Sequence, residues 1–328
     1  MALAMLGAVS QGILWGIMVL GVFITYKLLD IADLTVDGSF ALGGCVCAVL
    51  VVGGMDPTLA IIMAMLAGMV AGAVTGFLHT VFEIPAILAG ILTQIALWSV
   101  NLRIMGKSNT PLLRVDTLFS SVTDATGLPQ NIASILVGLV FAVIIIVGLY
   151  WFFGTEIGSA CRATGNNEAM VRALGVNTKV TKMIALTLSN GLVGLSGGLV
   201  CESQSYADIG MGTGAIVIGL AAIVIGEVLG RLVPGQLRAF GSRLTAAVVG
   251  SVVYFLIRAI VLQLGMDAND MKLISAVIVA LALCVPVVWE KYQLRRSYSR
   301  ASKALASAGA TDPAEGSTSN DSTIEGGR

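Results

Sequence analysis

The sequence predicts an all-α protein, a polytopic membrane helix bundle of about eight to ten transmembrane helices with one or two short or broken members. Three observations predict it. The chain is 56% hydrophobic and only 12% charged, against the roughly quarter charged content of a soluble domain. Apolar runs that approach the roughly 20 residues needed to cross a bilayer recur along its 328 residues. Lys and Arg gather in a few of the connections between those runs, as cytoplasmic loops require.

Taken in order, the spans fall at 3–26, 40–52, 58–78, 84–101, 132–153, 183–201, 214–230, 244–264 and 273–290, the second and seventh being short. The first has no small-residue cleavage site and reads as a retained helix. Gly12 and Gly16 on it, Gly68, Gly72 and Gly76 on the third, and Gly191, Gly194, Gly197 and Gly198 on the sixth mark close helix contacts. Between the first two spans Asp30, Asp33 and Asp37 stand at helical spacing beside Lys27, with Asp37-Gly38-Ser39 reading as the cap that opens the next helix. A cation site on these carboxylates is the alternative. The stretch 104–131, with Pro111, Gly127 and Pro129, predicts a turn-rich cap over an external mouth. On the seventh span Glu227 precedes Arg231 by four residues and is expected to pair with it.

Arg162, Arg172, Lys179 and Lys182 in 154–182, Arg231, Arg238 and Arg243 after the seventh span, and Lys291, Arg295, Arg296, Arg300 and Lys303 in the tail put all three segments in the cytoplasm. By alternation 202–213 and 265–271 lie outside, as does the N-terminus. The expectation is a multi-pass cell-membrane protein with a cytoplasmic C-terminus. A permease domain occupies 1–298, and a disordered tail of small and polar residues occupies 299–328.

Composition also excludes functions. Nineteen basic residues balance nineteen acidic ones, leaving no field for nucleic acid. His79 is the one histidine, and the five cysteines are an odd number that suits apolar packing better than disulfides. Gly194-Leu195-Ser196-Gly197 matches the Gly-x-Ser-Gly of rhomboid-type proteases, but the histidine lies upstream of the serine instead of downstream. Gly106-Lys107-Ser108 resembles the end of a phosphate loop, yet Asn101 stands where its first glycine belongs. No enzyme and no metal site is expected, and ATP has to be bound by another polypeptide.

Two groups of residues carry the functional expectation. Thr93, Gln94 and Trp98 on the fourth span and Ser189 and Asn190 on the sixth are polar or amphipathic exceptions in apolar helices, so they line a pathway or bond between helices. In 154–177, Asn166 or Asn167 caps a short helix over about 168–174, Gly175 ends it, and Met170 and Leu174 make an apolar ridge. So short a helix needs a docking partner.

The segment 158–177 resembles the coupling loop of ABC-importer permeases related to the branched-chain amino acid and sugar/nucleoside permeases, through Arg162, Ala163, Gly165, Asn167, Gly175, Val176 and Asn177. Asp33-Leu34-Thr35-Val36-Asp37-Gly38-Ser39-Phe40 resembles the opening signature of a branch associated with tryptophan or other amino acids. The likeness runs from the first span to the last. It implies a homodimer or pseudo-dimer of permeases in membrane lipid, two ATPase subunits that carry ATP and Mg, and an extracytoplasmic substrate-binding protein. Arg162, Ala163, Gly165, Asn167, Glu168, Ala169, Met170, Leu174 and Gly175 would then couple to the ATPase, with Arg162 and Glu168 at the rim of the contact. Four residues separate Met170 from Gly175, one more than in maltose-type loops, which places the chain outside that group. An ion-coupled secondary transporter is the alternative.

Overall fold

The computed structural model describes residues 2–113, 115–232 and 240–264, together with 273, 275–277, 279–281 and 284. Most of the ninth span, the 299–328 tail, and the basic residues Arg114, Arg238 and Lys291 onward lie outside the described residues.

Helix α9 (Thr178–Gln204) is the axis of the bundle and the most completely buried of its long helices. Against it run α1 (Ala2–Phe23), prolonged by one π-helical turn at Ile24–Leu28, then α2 (Thr35–Val52) and α3 (Pro57–Thr80). Small residues are what let three helices share one axis. A Cβ on Gly43 would stand 2.0 Å from the Gly194 carbonyl oxygen, so α2 and α9 touch backbone to backbone. Gly68 and Gly72 meet the Asn190 and Leu186 carbonyls in the same manner, which seats α3.

Outside this centre, α4 (Ala86–Met105) packs on α2, and α6 (Gln130–Gly154) on α1. The pair α10 (Ala215–Leu232) and α11 (Phe240–Gln263) is antiparallel, Gly226 lying against Ala246 and Gly250 against Ala222. Among the described residues seven helices are long and apolar enough to cross a membrane, and Ala215–Gly230 is a shorter apolar stretch.

The second span is longer than the sequence implied. Its helix opens at Thr35, because an Asp33 carboxylate oxygen accepts the Thr35 N–H at 2.9 Å. Asp37-Gly38-Ser39 therefore lies inside the helix and does not open it. The stretch 104–131 is also more ordered than a run of turns. Strand β1 (Asn109–Pro111) pairs antiparallel with β2 (Tyr206–Asp208), Thr110 opposite Ala207. Helix α5 (Leu118–Thr126) follows, with a reciprocal Thr117–Ser120 capping box. On the other side of the bundle 154–177 holds two helices, α7 (Glu156–Asn166) and α8 (Glu168–Ala173).

Candidate functional site

Two helices begin in the middle of the bundle. Asn190 is the thirteenth of the 27 residues of α9, about 18 Å along it at a rise of about 1.5 Å per residue. Its amide donates to Asp33 at 2.6 Å and accepts from Ser39 at 2.7 Å. Because α2 opens at this level, the chain from Asp30 to Leu34 must run back into the bundle outside any helix. Thr35 and Thr75 hydroxyls, 2.7 Å apart, tie the same level to α3.

The start of α10 meets it from the opposite direction. Asp37, in the first turn of α2, accepts the N–H of Gly214 through one carboxylate oxygen and that of Ile216 through the other, both at 2.9 Å. Gly212 lies against the Asp37 carbonyl, where a Cβ would come within 2.0 Å. From this knot α2 and α10 run to opposite sides of the bundle. Orphan N–H groups at a helix start are costly away from water, and here the chain's own carboxylates satisfy them. Asp33, Thr35, Asp37, Gly38 and Ser39 all belong to the knot, Gly38 providing the flat patch on which Leu97 and the Gln94 backbone of α4 rest.

The three aspartates do not converge on a cation. Asp30 is exposed with φ 56°, Asp33 faces Thr35 and Asn190, and Asp37 faces α10. Lys27 pairs with Glu227 at 2.7 Å, and the Arg231 side chain of the expected Glu227–Arg231 pair lies outside the described residues.

The five polar exceptions divide. Ser189 donates to the Gly21 carbonyl at 2.7 Å and Asn190 is in the knot. Thr93 bonds back to Ala89 within its own helix at 3.0 Å. Gln94 is half-buried, and Trp98, 50% exposed, lies on the open face of α4. Ser196 is spent on the Leu14 carbonyl at 2.8 Å, and His79 Nδ1 lies 2.8 Å from the Ile84 carbonyl oxygen.

The second locus is the foot formed by α7 and α8. Thr155 caps α7, and Asn167 caps α8 through the Met170 N–H at 3.0 Å. Gly175 follows at φ +84°, a left-handed position that a side chain would strain. Val171 is buried while Ala169 is exposed, and Met170 and Leu174 are 53% and 73% exposed, so the ridge faces outward. A Cβ on Gly165 would lie 1.7 Å from the Leu28 carbonyl oxygen, so α7 bears directly on the end of the first span. Half-buried Ala163 sits two residues earlier on the same helix.

Arg162 and Glu168 are both engaged within the chain itself. Arg162 lies over the Phe240 ring at 5.5 Å, and Glu168 binds Lys182 at 2.7 Å and Arg172 at 2.8 Å. The Lys182 ammonium, with help from Thr178 and Arg172, holds the Glu168 carboxyl below its usual 4.5. Burial pushes the Cys161 thiol up to about 11. Both residues brace the foot against its own chain.

Three features escaped the sequence reading: α7, the Asp37 bridge, and Glu202. Thr155 followed by Glu156 was a usable start signal for α7. Glu202, fully buried near the end of α9, accepts the Leu118 N–H at 2.8 Å and the Cys47 thiol at 3.4 Å, pinning α5.

A bundle of apolar helices with paired helix starts at its centre and a rigid foot on one side defines an integral-membrane transport component. Residues 4–285 match the family described as branched-chain amino acid transport system / permease component, and the chain belongs to that family. It is 38% identical over 84% of its length to a tyrosine transport system permease protein of Clostridioides difficile, covering 88% of that protein. It is 32% identical to an uncharacterised protein of Rickettsia prowazekii, over 84% of this chain and 95% of that one. With the ribose import permease of Escherichia coli it shares 28% identity over 77% of its own length and 76% of the relative's. The chain is thus a multi-pass permease subunit of an ABC transporter, not itself an enzyme, and the family implies an ATPase partner.

Proposed function

We propose that this chain forms the translocation pathway of an importer for an amino acid with an uncharged side chain, as one of two identical permease copies in membrane lipid. ATP and Mg belong to the ATPase subunits, and an extracytoplasmic binding protein delivers the solute. The 38% identical relative named for tyrosine transport supports an amino acid. The basic residues of 154–182 and of the tail support a cytoplasmic foot and C-terminus. Gln94 and Trp98 lie on or beside the open side of α4, where a second copy can complete a pathway, and Thr93 is next to them on the buried face.

The observation that carries the reading is the foot. A six-residue helix is too short to persist unaided, yet α8 is capped at its start, followed by a left-handed glycine, tied to α9 through Glu168, and presents Met170 and Leu174 to solvent. That is the form of a plug for a groove on another protein. Arg162, Ala163, Gly165 and Asn167 build its base, and Glu168, Ala169, Met170, Leu174 and Gly175 shape its tip.

The test is co-purification of the ATPase with Ala169→Trp and Gly175→Val, alongside uptake. Both variants are expected to insert normally, lose most ATPase binding and abolish uptake. Wild-type binding and uptake in both would overturn the coupling role.

A further inference from the structure

A cavity of about 760 Å³ lies between the start of α1, the end of α11, α10 and the end of α9, on the side of the bundle away from the foot. On α1 its wall runs from Ala4 to Trp15, about 16 Å along the axis at about 1.5 Å per residue. That is one leaflet's share of a hydrocarbon core about 30 Å thick. Ala4, Gly7 and Ala8 of α1 and Ala259 of α11 line its outer part, so small residues leave a slot between the two helices. A Cβ on Gly7 would meet nothing within 4 Å, so the slot is open there. At the deep end Phe40 and Phe255 are packed on Trp15 with ring centroids 4.6 and 5.5 Å away, all three buried, and they close the slot off. Gln11 and Gln204 on its wall bond each other at 3.2 Å.

One charge lines this slot among the described residues. Arg258 stands in the last turns of α11, which ends at Gln263, and so lies about 7.5 Å inside that end. Its guanidinium is over the Phe255 ring at 5.8 Å, and no carboxylate among the described residues pairs with it. A guanidinium at the edge of hydrocarbon is costly without an anion. From that depth its flexible stem still reaches the headgroup level.

A ligand that carries both an anion and a long apolar chain satisfies the two halves of the site at once. A free solute anion supplies the first half only. A phosphodiester matches the guanidinium fork in two parallel hydrogen bonds. A zwitterionic headgroup sets its own cation beside that phosphate, whereas a phosphatidylglycerol head leaves the negative charge for the protein. We infer that this slot is a binding site for an acidic phospholipid, its phosphate on Arg258 and one acyl chain lying between α1 and α11 as far as Trp15. The bound lipid bridges the start of the first helix and the end of the last described one, in the leaflet away from the foot. The inference does not depend on which solute the chain carries.

The experiment is native mass spectrometry of the purified full chain in detergent, titrated with dioleoyl phosphatidylglycerol or dioleoyl phosphatidylcholine, with glycerol phosphate as competitor. The wild type is expected to bind one phosphatidylglycerol at least about tenfold more tightly than phosphatidylcholine, and excess glycerol phosphate is expected to displace none of it. Arg258→Gln is expected to lower phosphatidylglycerol affinity at least about tenfold and to leave phosphatidylcholine affinity within about twofold. Arg258→Lys is expected to stay within about threefold of wild type, because an ammonium still binds phosphate as a point charge. Gly7→Leu puts a side chain into the open part of the slot without touching the charge, and is expected to weaken both lipids at least about fivefold. It keeps the site falsifiable should Arg258→Gln fail to fold. Phosphatidylglycerol affinity within about twofold of wild type in either Arg258→Gln or Gly7→Leu would overturn the site. Displacement of the lipid by glycerol phosphate would overturn it in favour of a small-anion site.

Discussion

Replacing Asp37 with alanine removes the carboxylate that receives the first N–H groups of α10 inside the bundle. Its carboxylate takes two backbone N–H groups at 2.9 Å each, those of Gly214 and Ile216. Hydrogen bonds to a charged group contribute about 1.5–3 kcal/mol each, and a negative charge at a partly buried helix start adds up to about 2 kcal/mol. The contributions overlap, so the expected loss is about 3–5 kcal/mol. Asp37→Asn keeps one acceptor oxygen and should lose about half as much. The measurement is thermal unfolding of the purified chain in detergent, with hydrogen exchange followed at Gly214, Ala215 and Ile216. Alanine should lower the midpoint by on the order of 10 °C, and those three amides should exchange faster while the start of α3 does not change. An Asp37→Ala protein with the wild-type midpoint and unaltered exchange at the α10 start would refute the bridge.

Asn190 holds Asp33 and Ser39 at once, at 2.6 and 2.7 Å. Asn190→Ala should cost about 2–4 kcal/mol and Ser39→Ala about 1, and the double variant should show a coupling of about 1 kcal/mol by thermal unfolding; strict additivity would contradict the shared network. Glu168, held below its usual 4.5 by Lys182, stabilises the foot above that value and ceases to do so as pH falls through its lowered folded-state pKa. Being more than a third exposed, it should contribute less than about 1 kcal/mol. Amide exchange of 156–174, corrected for intrinsic rate, should rise below about pH 4.5, and Glu168→Gln should show the faster exchange at every pH; a variant that keeps the wild-type pH profile would remove Glu168 from the brace.

What was legible in the sequence was what hydrocarbon imposes everywhere. Long apolar runs, basic loops and glycines four apart follow from solvation and close packing, so the spans and the Gly68-Gly72-Gly76 face on α9 could be read directly. Asn167 and Gly175 were legible for a similar reason, because a cap acts on residues a few positions away. The knot was not. Asp37 looked like a local cap because the residues it serves, Gly214 and Ile216, lie 177 and 179 positions further on. Lys27 misled for the same reason, its partner Glu227 being on another helix. Polar groups that serve distant backbone are indistinguishable, in one dimension, from those that serve their neighbours or a solute.

The first helix connects the loci that these contacts define. At one end its Gln11 accepts from Gln204 of α9, in its middle the Leu14 and Gly21 carbonyls take the α9 hydroxyls of Ser196 and Ser189, and at the other end Leu28 is pressed by Gly165 of the foot. The contact at Leu28 is backbone to backbone, so it transmits displacement with no side chain to flex. What can yield lies beside it. The five residues Ile24–Leu28 form a π-helical turn, wound less tightly than the α-helix before it and a recurrent feature of functional sites in helices. Restoring α-helical winding there would rotate and shift whatever follows, first the Lys27–Glu227 pair and then Asp33 in the knot. The Gly165–Leu28 contact, the π-helical turn and the Lys27–Glu227 pair thus lie on one stretch of chain that joins the foot to Asp33 in the knot.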